Sequence, residues 1–312
     1  MPEGHTLHRL AKRHLDTFGG HLVHVTSPQG RFAAGAARLD GTALLAAQAH
    51  GKHIFLGFGS PEPPPGRVRP KADRWLHVHL GLYGTWVFGT GAPPPARGAL
   101  RLRMESDEAW ADLRGPTACE LITEDEVGGI RARLGADPLR KDADPDAAGR
   151  RIMRSATPIG ALLMQQEVVA GVGNVYRAEI LYRHRIDPWM AGRELTPEQW
   201  QAMWADLVVL LKDGVRRGRI VTTRPEDRPH RSGPVRRGEA HYVYRRTDEP
   251  CFVCGTPIVA EPMVGRTLYR CPFCQRAVDD SALTAKDVEQ DVEQRGPQEV
   301  RTSTDSAGRR AS

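Results

Sequence analysis

The chain has 312 residues, about two domains' worth at roughly 150 residues each, with the 40% hydrophobic and 26% charged content of a protein with a buried core. No apolar run approaches the roughly 18 residues of a membrane helix, and Met1-Pro2-Glu3-Gly4-His5 does not open a signal peptide, so membrane and secreted classes are not expected. The net charge of +6 is uneven: Ala277 to Ser312 hold eight acids and five bases, net −3, leaving +9 on the first 276 residues.

Leu7, Leu10, Ala11, His14, Leu15 and Phe18 recur at three and four, which predicts a leading helix stopped by Gly19-Gly20. Alternating runs follow at His21 to Thr26, Ile54 to Phe58, Leu76 to Leu80, Gly84 to Phe88, Leu100 to Met104 and Trp110 to Leu113. Pro- and Gly-rich connectors (Ser60 to Pro70, Gly89 to Gly98) separate several of them, as hairpin loops would. Residues 1–122 therefore read as a β-sandwich with one N-terminal helix. Beyond Ile122 the period lengthens, and Glu124 to Leu134, Ile159 to Val169, Val175 to Arg183 and Pro197 to Gly214 read as helices, making 123–234 a helical domain.

Between Lys212 and Arg246 eleven bases face four acids, a local excess that suits an anionic polymer and equally a solvated Arg-rich loop. Residues 235–276 form a cysteine-rich hairpin. The polar tail, 277–312, has little apolar content and is expected to be disordered. The whole is an α+β multidomain chain.

Four of the five cysteines stand as Cys251-x2-Cys254 and Cys271-x2-Cys274, sixteen residues apart. Each pair on a tight knuckle aims two thiolates at one point, and two knuckles complete a tetrahedral Zn²⁺ site. Four sulfurs leave no open position, so the metal is expected to be structural; the alternative, two disulfides, needs an oxidising compartment. Cys119 is left over and reads as a small buried hydrophobe. Arg266-Thr267-Leu268-Tyr269-Arg270 lies between the knuckles, which is expected to put an arginine at the hairpin's tip.

Gly171-Val172-Gly173-Asn174 interrupts two helical stretches. Asn174 is expected to cap the following helix, whose exposed amides would make an anion site; a plain helix-turn-helix hairpin is the alternative. At the start of the chain, removal of Met1 would expose the secondary amine of Pro2 beside the carboxylate of Glu3. That pair could form a Schiff base with a carbonyl carbon, or simply start a helix with a proline and a first-turn acid. His5 and His8, three apart on the leading helix, read as a surface or polymer-facing pair, and His77 and His79 as packing residues.

Pro2-Glu3-Gly4, Gly51-Lys52-His53, Gly171-Val172-Gly173-Asn174-Val175-Tyr176 and the terminal Cys-Pro-x-Cys-Gln occur in one order, from Pro2 to about Gln275. That order resembles the formamidopyrimidine-DNA glycosylase/endonuclease VIII family. The resemblance implies a β-sandwich, a helix-two-turns-helix domain and a zinc finger with DNA held in the cleft. It implies base excision repair by a bifunctional DNA glycosylase and abasic-site lyase, with a non-catalytic zinc-ribbon protein that binds damaged or abasic DNA as the alternative. By position, Pro2 resembles the nucleophile that attacks the deoxyribose C1′, and Glu3 the acid/base group. Lys52 matches the lysine credited with β-elimination, and Arg266 an arginine that contacts phosphates and is linked to δ-elimination. Asn174 matches a phosphate-binding asparagine and Arg133 a DNA-contacting arginine.

Leu82-Tyr83-Gly84-x-Trp86 resembles the segment that fills the stack after a nucleotide is flipped out, with Leu82 and Tyr83 as wedges or, alternatively, core residues. Together with Pro-Glu-Gly-His it favours the endonuclease VIII-like branch, which implies oxidised pyrimidines. Two positions depart from the pattern: Gln165-Gln166 replaces Asp-Gln or Asp-Asn, and Gly81 stands where a DNA-contacting Gln is frequent. The implied cofactor is one Zn²⁺, and the implied partner is double-stranded DNA with oxidised bases or abasic sites. The implied state is a cytoplasmic monomer, nucleoid-associated if bacterial.

Overall fold

Alternating apolar residues build eight antiparallel strands whose order is set by one short strand that serves two neighbours. The structure, a computed structural model, describes residues 2–64 and 66–276; the tail expected to be disordered lies outside the described residues. The first elements are α1 (Gly4–Phe18), β1 (Leu22–Thr26), α2 (Ala33–Leu39), β2 (Thr42–His50), β3 (His53–Gly59) and β4 (Arg74–His79). They are followed by β5 (Thr85–Thr90), β6 (Leu100–Glu105), β7 (Ala109–Arg114) and β8 (Ala118–Ile122). The strand order is β5-β7-β6-β1-β2-β3-β4-β8. Leu22 and Val23 pair with β2, while His24 to Thr26 pair with β6, so β1 is the seam where one half of the sheet meets the other.

Between the halves lies a continuous apolar layer. Val23, Ile54, Leu56, Leu76 and Val78 come from one side, Trp86, Leu102, Met104 and Leu113 from the other, and Leu7 and Phe18 of α1 join them. Cys119 is buried in the same core, where burial pushes its thiol up to about 12 and leaves it unreactive. The strands β2 and β8 and the helix α2 were not expected: β2 (TALLAAQAH) and α2 (AAGAARL) are alanine-rich segments with weak strand or helix signals of their own, decided by packing.

His14 is fully buried in this layer, edge-on to Trp86 and Phe88 with Nδ1 on the Leu10 carbonyl, and burial lowers its pKa to about 4. The unfolded chain takes up that proton near 6.5, so the stability from a neutral His14 is present above pH 6.5 and is lost as pH falls toward 4. For this one group the loss is on the order of 3 kcal/mol. Urea unfolding at pH 7.5, 6 and 5 should show the decline, and His14→Leu should flatten it. An unchanged slope in the variant rules His14 out as its origin.

The helices are α3 (Glu124–Ala132), α4 (Pro145–Ile152), α5 (Ile159–Leu162), α6 (Asn174–Arg183) and α7 (Pro197–Arg217). Capping boxes at Thr123/Glu126 and Thr196/Gln199 start α3 and α7. The helix expected over 159–169 closes after one turn and gives way to two turns, and α4, capped by Asp144 with Pro145 behind it, was not expected. A second core joins Tyr176 and Ile180 of α6 to Trp200, Met203, Leu207 and Leu211 of α7.

β9 (Val259–Met263) and β10 (Arg266–Arg270) form the last hairpin, joined by Val264 and Gly265 at φ 50° and 66°. Both turn residues thus adopt the left-handed conformation of a two-residue hairpin. The buried carboxylate of Glu179 on α6 accepts from the backbone N–H of Tyr242, Val243 and Tyr244 and from the Thr222 hydroxyl, and so fixes the approach to this hairpin. Among the described residues, no helix is long and apolar enough to cross a membrane.

Candidate active site

Three turns distant in sequence meet where glycine removes the side chain that would keep them apart. Gly4 N donates to the Gly171 carbonyl at 2.8 Å, and a Cβ on Gly4 would lie 2.8 Å from Gly171 Cα. Gly51, at φ +59°, begins the two-residue β2–β3 turn that carries Lys52, and its own Cβ would press on Ala170 and Gly171 N at 3.1 and 3.2 Å. Asp137 locks this junction: its buried carboxylate accepts from Gly51 N at 2.8 Å, Leu139 N at 2.9 Å and His8 Nε2 at 2.8 Å. Sequence reading missed Asp137, whose only local signal is its place two residues after Gly135.

Glu3 is fully buried and sends its carboxylate into the N-terminus of α6. It accepts from Gly173 N at 3.0 Å, Val175 N at 2.8 Å and Tyr176 N at 3.4 Å. A Cβ at Gly173 would stand 2.4 Å from Glu3 Cδ, so this glycine makes the room for the carboxylate. Burial raises the Glu3 pKa above its ordinary value, opposed by the charge of Lys52 and by the three amides. Lys52 is shifted the other way: burial lowers its pKa, Glu3 partly restores it, and the charge of Arg266 lowers it again. Pro2, half-buried, directly precedes this carboxylate.

The cap expected from Asn174 is not made. Gly173 is the N-cap residue of α6, and the amides expected to be exposed to a phosphate are taken by Glu3. The terminus is indeed an anion site, but its anion belongs to the chain. Asn174 instead turns to the hairpin, where Nδ2 donates to the Thr267 carbonyl at 2.9 Å and Oδ1 accepts from Arg177. Gln166 keeps the glycine turn in place, accepting from Gly171 N at 3.0 Å and donating to the Val172 carbonyl at 2.9 Å. The departure at Gln165-Gln166 thus leaves the turn intact.

Arg266, directly after the hairpin tip, and Arg133, at the C-terminal end of α3, are exposed. Leu82 and Tyr83 occupy the β4–β5 turn, 44% and 88% exposed, and do not belong to the core. The departure at Gly81 has a local reason: φ is +66°, and a Cβ would collide with Thr117 Oγ1.

The pairing of His5 and His8 on a surface is corrected. His5 is buried edge-on against Tyr176, while His8 is spent on Asp137. His77 is buried between His53 (2.9 Å) and Glu120 (3.2 Å), and His79 Nδ1 accepts from Gly81 N.

Cys251, Cys254, Cys271 and Cys274 bring their sulfurs within 4.8 Å of one another, and none is joined in a disulfide. Sulfur pairs at 3.4, 3.5 and 4.0 Å match the roughly 3.8 Å edge of a tetrahedron with metal–sulfur bonds of about 2.3 Å. The cluster can hold one metal ion. Tyr182 Oη lies 3.0 Å from Cys251 Sγ, and Gln275 ties Cys271 N to the Ile186 carbonyl, so one knuckle is anchored to the last turn of α6 and the other to the loop that follows it.

Two family models match this chain: the formamidopyrimidine-DNA glycosylase N-terminal domain over residues 1–119 and the formamidopyrimidine-DNA glycosylase H2TH domain over residues 134–225. Endonuclease 8 1 of Mycobacterium tuberculosis is 50% identical over 280 residues, spanning 88% of this chain and all of that protein. The formamidopyrimidine-DNA glycosylase of Nocardia farcinica is 30% identical over 290 residues, 88% of this chain and 97% of that one. Among solved structures, MutM in complex with DNA containing carbocyclic 8-oxo-G has a TM-score of 0.71 at 21% identity, covering 88% of this chain and all of that one. Lactococcus lactis Fpg with abasic-site DNA has a TM-score of 0.71 at 20% identity, with the same coverage. At these identities the two structures speak for the fold.

Proposed function

This chain belongs to the formamidopyrimidine-DNA glycosylase family, and from that premise we propose that Pro2, Glu3, Lys52 and Arg266 are the groups with which it works on DNA. It is a DNA glycosylase and abasic-site lyase of base excision repair. The observation that carries the residue assignment is the buried Glu3 carboxylate, held by three amides directly after Pro2 and near enough to Lys52 to feel its charge.

Loss of Met1 turns the Pro2 nitrogen from an amide into a secondary amine. That amine attacks C1′ of a flipped-out nucleotide, the C1′–base bond breaks, and the base leaves with a proton. The nitrogen lone pair then forms the iminium as the C1′–O4′ bond breaks, and O4′ takes its proton from Glu3, whose burial favours the protonated acid. Loss of a C2′ proton expels the 3′ phosphate, loss of a C4′ proton expels the 5′ phosphate, and water returns the amine. Lys52, its pKa lowered toward the range of a working base, suits the first proton abstraction. Arg266 holds phosphates, Asn174 adds the second hydrogen of its Nδ2, the first being on the Thr267 carbonyl, and Arg133 grips the backbone alongside. Leu82 and Tyr83, exposed on a turn, fill the vacated stack.

The metal fitting four thiolates of this spacing is Zn²⁺, which when bound supplies the folding energy of a hairpin with little core of its own. The proposed domains are 1–122, 123–234, 235–276 and 277–312, and the proposed state is a cytoplasmic monomer, nucleoid-associated if bacterial. Oxidised pyrimidines are the proposed substrates, supported by the exposed Leu82-Tyr83 turn and by likeness to an endonuclease 8.

The test is borohydride trapping on a panel of lesions, using metal-replete protein that begins at Pro2. Covalent attachment is expected on abasic and thymine-glycol DNA, faster on oxidised pyrimidines than on 8-oxoguanine. Absence of any trapped species refutes the Pro2 assignment. The reverse lesion order refutes the pyrimidine preference alone.

A further inference from the structure

Arg177 stands one turn into α6 and is the bulkiest fully buried side chain among the described residues. Its Nη2 donates to Asn174 Oδ1 and, at 3.3 Å, to the Thr267 carbonyl. Its Nε and Nη1 meet no acceptor among the described residues. Burial lowers its pKa to about 10, with the charge of Glu3 opposing and that of Arg266 adding to the effect. The guanidinium therefore feels both Glu3 and the hairpin arginine.

A buried cation with unused donors is a poor stabiliser, and an apolar group of like volume commonly does as well or better. What a guanidinium does well is hold two acceptors in one fixed plane. Here one acceptor is the amide of Asn174, and the other is the backbone carbonyl next in chain to Arg266.

We propose that Arg177 is a positioning residue for strand cleavage: by holding Asn174 and the Thr267 carbonyl together it sets the place of Arg266 at the phosphates. The proposal rests on the reading of Arg266 as the group that assists the second elimination. Asn174 alone also reaches Thr267, but through one rotatable amide; the guanidinium makes the link a closed triangle of three groups.

The experiment compares full-length, metal-loaded wild type with Arg177→Met, Arg177→Lys, Arg266→Ala and the Arg177→Met/Arg266→Ala double variant. Abasic-site duplex gives the ratio of δ- to β-elimination products, a lesion duplex gives the single-turnover excision rate, and melting gives Tm. Arg177→Met is expected to lower the product ratio about tenfold, a change of about 1.4 kcal/mol in barrier. Excision should fall much less, with Tm unchanged or raised. Arg177→Lys should recover part of the ratio and carries the same test if the Met variant does not fold. The double variant should match Arg266→Ala, because both changes act through one group. Equal losses in excision and strand cleavage overturn the proposal, as does a double variant well below Arg266→Ala. An unchanged ratio in Arg266→Ala removes the premise instead, and is seen in that variant alone.

Discussion

Glu3→Gln is expected to lower single-turnover base excision by about 10²–10⁴-fold, the usual worth of a positioned acid/base group, while binding to abasic-site DNA stays within several-fold. The asymmetry follows from geometry. Glu3 is fully buried behind Pro2 and makes its hydrogen bonds to the Gly173–Tyr176 turn. Glutamine fills the same space but has no acid proton to give to O4′, and its amide would meet N–H donors at the helix terminus. The pH profile supplies a second readout. Because burial raises the Glu3 pKa, the protonated form persists to higher pH than for an ordinary carboxylic acid. The alkaline limb of the wild-type excision profile should therefore lie above the usual carboxylate range and vanish from the residual activity of the variant. Parallel losses in binding and excision, or a limb that survives, remove Glu3 from the acid/base role.

Removing the metal should have the other large effect. Cys254→Ser, or a chelator strong enough to strip the site, is expected to abolish metal binding and unfold the β9–β10 hairpin. The free energy of folding concerned is on the order of 10 kcal/mol. The core around that hairpin is small, with Ile258, Tyr242 and Val243 packed on Tyr182 and on the two buried cysteines. Arg266 and the Thr267 carbonyl go with it, so DNA affinity and strand cleavage should fall together. The sheet core and the α6–α7 core draw on other residues and should keep most of the helical circular dichroism signal. A colorimetric metal assay against activity makes the comparison, with Cys119→Ala as the control, since Cys119 lies in the sheet core. One metal per chain with full activity in Cys254→Ser excludes the four-thiolate site.

Much of the chemistry was legible in the linear chain because its signals are local. A cysteine knuckle needs its two thiols three residues apart, a hairpin tip needs residues that tolerate positive φ, and a leading helix shows its apolar face at three and four. Hence Cys251, Cys254, Cys271 and Cys274 converge as their spacing implies, and Leu7, Ala11 and Phe18 face the core. The glycine turn was visible as well, but its occupant was not. Nothing in Gly171 to Tyr176 says that the anion at the α6 terminus comes from residue 3, about 170 residues away, because that depends on backbones approaching at Gly4, Gly51 and Gly171.

The same limit hid Asp137, Gln166, Glu179 and Arg177, common polar residues whose meaning lies in the backbone groups they reach. It also misplaced His5 and His8, which share a helix face in sequence yet end in different surroundings, one under Tyr176 and one on Asp137. The sequence by itself determined which groups are at hand: a proline at position 2, a carboxylate at Glu3, a lysine at position 52, four cysteines with metal-ligand spacing and an arginine between the knuckles. Only the tertiary structure decided their state. Burial and neighbouring charge raise the pKa of Glu3 and lower that of Lys52, and those are properties of the space between segments, which no single segment encodes.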